Sequence, residues 1–124
     1  MGYRSEVVLA ISKDIMPHFL GLLAKEPELR PLVFKHHNHL DKDYNGDGTM
    51  LVVWHDIKWY ENYPEIKAIN SFVEACETDM LEGFDVEYQG EHVRFIRLGE
   101  DSDDIVEKGT LHGWDIGMNR CLSY

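Results

Sequence analysis

"MLVVWHDIKWY", residues 50 to 60, decides the fold class. It is rich in β-branched and aromatic residues, and successive side chains of an extended chain point to opposite sides. The stretch therefore reads as a strand with two mixed faces, Val53, Ile57 and Trp59 on one and Val52, Trp54 and Tyr60 on the other. If the first set meets helices, Trp54, Asp56, Lys58 and Tyr60 share the opposite face. Two aromatics alternating with an acid and a base match the composition of an interface hot spot, so these four residues are the candidate partner-binding set. The competing reading is that a terminal strand or loop covers the rings as ordinary core.

Upstream lies "DKDYNGDGT", residues 41 to 49. Asp43, Asn45 and Asp47 supply oxygen ligands at every second residue before Gly48, as in the first half of a calcium loop. A working EF-hand loop also needs a bidentate Glu at its twelfth position. That position is Trp54 counted from Asp43, or Val52 counted from Asp41. The structural reading is a hairpin turn in which Asn45-Gly46 or Asp47-Gly48 takes positive φ. His37 and His39 would point to one side of an extended chain, with His36 beside them and His55 on the facing strand, so they are alternative metal ligands. Without a recognised zinc spacing, an exposed strand edge is the simpler account.

Downstream, "YPEIKAINSFVEACETDM" opens on Pro64 and places Ile66, Ile69, Phe72, Val73, Cys76 and Met80 at helical spacing, predicting a helix near 64 to 80. "EVVLAI", residues 6 to 11, predicts a central strand buried on both faces. A helix near 14 to 25 follows, capped by Ser12 or Asp14, with Phe19, Leu20 and Leu23 in its stripe; Pro27 or Pro31 ends it. "FDVEY" and "HVRFIRL" predict a hairpin across "QGE", and "GEDSDDIVEKG" an acidic loop. A last strand carries Trp114, Ile116, Met118 and Leu122 on one face. The order β-α-β-α-β-β-β predicts one α+β domain over residues 1–124, a single mixed, mostly antiparallel sheet with two helices packed on one face.

At 124 residues the chain can bury one core without staples. A net charge of -11 makes direct nucleic-acid binding unfavourable and attraction to basic proteins or divalent cations favourable. Cys76 and Cys121 lack redox or zinc spacing and read as reduced thiols. There is no apolar signal region and no run near the ~20 apolar residues of a membrane span, so a soluble protein without a membrane partner is expected. Glu100, Asp101, Asp103 and Asp104 are dense enough to hold magnesium, but no positioned Lys or identifiable base accompanies them. Neither G-x-S-x-G nor a phosphate-binding loop occurs.

Three stretches, "MGYRSEV" at the start, "DIKWYENYPEI" from Asp56 and "FIRLGED" from Phe95, resemble small phage and prophage proteins that open with MGYRSEV or MGYRSDV. That resemblance implies a short accessory protein made in a bacterial cytoplasm, and brings no catalytic residue or cofactor with it. The expected function is non-catalytic binding of a host or phage protein through an acidic and aromatic surface, with mimicry of DNA charge as one variant. One alternative is a small divalent-metal-binding module or metal-dependent hydrolase using segments 36–47 and 100–104. Another is a virion structural or assembly protein, for which the same aromatic patches would support homo-oligomers.

Overall fold

Strand β1 (Ser5–Ile11) is buried at every position except Glu6. A run with apolar groups on both sides needs cover above and below and a neighbour on each edge. The computed structural model, which describes residues 2–44, 46–78, 80, 88–101, 103–113, 116–118 and 122–123, places β1 at the middle of a five-stranded antiparallel sheet. The other strands are β2 (His39–Tyr44), β3 (Thr49–Ile57), β4 (Val93–Leu98) and β5 (Ile105–Gly109), in the order β2-β3-β1-β4-β5. With helices α1 (Met16–Lys25), α2 (Leu29–Phe34) and α3 (Pro64–Glu77), the fold is α+β. A pair of two-residue strands, β6 (Gly117–Met118) and β7 (Leu122–Ser123), forms a separate small sheet.

Among the described residues three helices, not two, cover the first face. Val7, Leu9 and Ile11 of β1, Met50, Val52 and Trp54 of β3, and Val93 and Phe95 of β4 meet Phe19 and Leu23 of α1, Leu32 and Val33 of α2, and Ile66, Ile69 and Phe72 of α3. Helix α2 escapes a sequence reading that takes Pro31 as a terminator. Pro31 is the third residue of α2, inside the first turn, where no intrahelical partner awaits its missing N–H. Leu20, expected in the apolar stripe of α1, is 52% exposed. Helix α1 has no side-chain cap; the Ser12 carbonyl receives the amides of Ile15 and Met16.

The second face is not open either. Val8, Ala10, Leu51, Val53 and Ile96 are fully buried under Ile116, with Leu111, Leu98 and Tyr44 packed around them. Arg94 of β4 fastens this cover. Its Nε donates to the Ile116 carbonyl at 3.1 Å, one Nη to the Gly109 carbonyl at 2.8 Å, and the other Nη pairs with Glu107. The terminal segment thus supplies two short paired strands where one continuous strand was expected. Trp114 and Cys121 lie outside the described residues.

Residues 89 to 92, expected to lie in or beside a hairpin turn, form a 3-10 turn (Gln89–His92). The proposed strand FDVEY falls outside the described residues up to Tyr88. Strand β4 pairs instead with β5, so "IVEKG" is a strand and the acidic residues before it form the hairpin connection. Both sheet edges are blunted. Asp43 N–H in β2 is taken by the Asp41 carboxylate beside a register shift, and in β5 the amides of Ile105 and Gly109 go to the Asp103 carbonyl and the Glu77 carboxylate.

Candidate functional site

The end of β3 departs most from simple alternation. Between Val7↔Trp54 and Ser5↔Ile57 the register takes two steps on β1 and three on β3, so β3 carries one extra residue. Asp56, within that bulge, has φ 55, a left-handed conformation uncommon outside glycine. One inserted residue reverses the face of everything beyond it. Ile57 and Trp59 therefore point to the helices as expected, but Val53, before the bulge, points away from them.

This corrects the placement of Trp54. It is fully buried on the helix side, its Nε1 donates to the Leu32 carbonyl at 2.9 Å, and its ring lies 5.3 Å from that of Trp59. Trp59 in turn donates to Asn70 Oδ1 at 3.1 Å and packs on Phe95. The four residues Trp54, Asp56, Lys58 and Tyr60 consequently do not share a sheet face. Asp56 is exposed, while Lys58 and Tyr60 are half-buried. Tyr60 packs beside Tyr63, with ring centres 5.4 Å apart.

Around the bulge the stretches MGYRSEV, DIKWYENYPEI and FIRLGED meet. A Cβ on Gly2 would strike the Tyr60 hydroxyl and the Lys58 side chain. Arg4 donates from its backbone to Glu100 Oε1 at 2.8 Å and from its guanidinium to the Asp56 carbonyl at 3.2 Å. The Tyr3 hydroxyl donates to Asp104 Oδ2 at 2.7 Å and receives the Asp101 amide at 3.0 Å. Arg97 grips both oxygens of Asp104, at 2.8 and 3.1 Å. A Cβ on Gly99 would collide with Asp104 and Tyr3 together. These residues account for one another as a clasp that closes one corner of the sheet. Next to it opens a cleft of about 330 Å³ with Leu32, Trp54 and Ile66 in its floor.

The acidic hairpin is therefore engaged from within. Arg97, and then the Tyr3 hydroxyl, hold the Asp104 carboxyl below its ordinary range, and Glu100 is spent on Arg4. The turn before β3 behaves likewise. Asp43 Oδ1 accepts the Gly48 amide at 2.7 Å, and Asp47 Oδ1 accepts the Thr49 amide at 2.9 Å. Asp47 Oδ2 meets His112 Nε2 at 2.8 Å, tying the turn to the segment that covers the second face. The Thr49 side chain, followed by its amide and His112, lowers the Asp47 carboxyl, against a smaller rise from burial. Gly46 and Gly48 have φ of 74 and 84, as a tight turn requires, and Asn45 lies outside the described residues. His37 donates from Nδ1 to the Val33 carbonyl at the end of α2, and His39 is exposed on β2. Among the described residues no three His, Cys, Asp or Glu side chains are grouped to hold a metal ion.

One pair that sequence reading missed looks catalytic at first. Ser12 Oγ and His92 Nδ1 are 2.9 Å apart, with Asp14 Oδ2 3.7 Å from the same nitrogen. A hydrolytic triad needs serine on one ring nitrogen and the carboxylate on the other. Here both partners address Nδ1, and Ser12 is buried. The pair joins the end of β1 to the start of β4, where Ser12 N–H also donates to the His92 carbonyl.

Charge is distributed more unevenly than the total suggests. Residues 1–60 carry eight acidic against seven basic side chains, residues 61–124 fifteen against five. Of those five, Arg94, Arg97 and Lys108 are paired with Glu107, Asp104 and Glu74. Among the described residues, β4 and β5, which carry Arg94, Arg97, Glu107 and Lys108, lie on one side of the sheet, and β2 and β3 on the other. Glu61, Glu91, Glu100, Asp101 and Asp103 are exposed on the acidic half, and a groove of about 500 Å³ there is bordered by Glu77, Glu91 and Glu107 beside Tyr88, itself 66% exposed.

Comparison with protein-family models, with curated proteins and with solved structures finds no match to this chain. Among the described residues no helix is long and apolar enough to cross a membrane.

Proposed function

We propose that the protein is a small non-catalytic binding protein of phage type, acting in a bacterial cytoplasm, that engages a basic host or phage protein through its acidic half. The observation that carries this reading is the charge partition: nearly all of the net charge of -11 belongs to residues 61–124, and three of the five cations there are consumed internally. Such a surface repels nucleic acid and steers a cationic partner. Tyr88, exposed among carboxylates, adds an aromatic face suited to a Lys or Arg side chain. On this reading the interaction surface is the β4–β5 side rather than the β3 strand, whose Trp54 is core. Mimicry of DNA charge is the variant in which the partner's nucleic-acid site is the one occupied.

The test is capture from bacterial lysate on the immobilised protein at stepped salt, with Glu91→Lys/Asp103→Lys as the paired variant. Capture that falls steeply with salt, and is lost in a variant that melts normally, supports the reading; competition by duplex DNA identifies the mimicry variant. Capture that survives about 1 M salt, where screening acts within ~3 Å, and survives charge reversal overturns it.

A further inference from the structure

We draw no further inference here: the strongest candidate, the cleft of about 330 Å³ beside the β3 bulge, has an apolar floor and a rim on which Arg4 and Lys58 are offset by Asp56 and Glu65, and nothing in the structure shows what covers it.

Discussion

Replacing Arg94 by Met tests whether the second face of the sheet is held by one side chain. The substitution keeps most of the apolar stem and removes every donor. Arg94 is 6% exposed, and its fork serves the Ile116 carbonyl, the Gly109 carbonyl and Glu107. Glu107 is 43% exposed, so water can replace the guanidinium there and the lost ion pair contributes little. The Ile116 carbonyl is in a buried bond, and leaving such a group without a donor costs about 1–3 kcal/mol. Gly109 is only part-buried and belongs at the low end of that range. The expected loss is roughly 3 kcal/mol, near the lower bound for breaking a buried pair. For a domain of this size the melting temperature should fall by roughly 10 °C. Denaturant unfolding followed by tryptophan fluorescence measures the loss, and amide exchange at Leu111 and Ile116 locates it. Arg94→Lys keeps the charge but not the fork and should recover only part. A loss under about 1 kcal/mol with unchanged protection at Ile116 would refute the reasoning.

Trp54→Ala should cost about 3–5 kcal/mol as a large-to-small change in the core, while Leu20→Ala, at a half-exposed position, should change denaturant stability by less than about 0.5 kcal/mol. Asp56→Val should destabilise by about 1–3 kcal/mol, because a β-branched residue resists φ 55, and Asp56→Gly should be tolerated in the same melting assay. Asp47 and Asp104 both have carboxyl groups lowered from 3.8, so the unfolded chain takes up protons first as the solution is acidified. Their contribution is complete above that value and is lost as pH falls through the folded-state pKa; Asp104→Asn should lower stability at neutral pH and flatten the acid limb of a pH titration.

The parts of the fold legible in the sequence are those that depend on local pattern. EVVLAI declares a buried central strand and stands where expected, and Pro64 with its stripe declares α3, which starts where expected but ends at Glu77 and leaves Met80 exposed. The bulge at Asp56 is invisible, because an inserted residue is defined by the register of a partner strand 47 to 52 positions away. That one residue explains why Trp54 and Trp59, five apart and so assigned to opposite faces, share a core. Strand β5 was obscured by the acidic residues before it, of which Asp104 is held by Tyr3 and Arg97 and Glu100 by the Arg4 backbone, while Glu100, Asp101 and Asp103 stay exposed. The internal use of Arg94, Arg97 and Lys108, which leaves the acidic half so one-sided, likewise emerges only from tertiary pairing.

The corner clasp also has a kinetic meaning. Tyr3 reaches Asp104 across 101 positions and Arg4 reaches Glu100 across 96, so each contact must await closure of nearly the whole chain. Contacts of this separation contribute little until β1, β3 and β4 are already paired, so they are expected to form after the folding transition state. Tyr3→Phe, which removes the hydrogen bond to Asp104 and the acceptor for the Asp101 amide, should leave the folding limb of a chevron unmoved and accelerate unfolding. The opening residues would then govern how long the native state lasts rather than how quickly it forms.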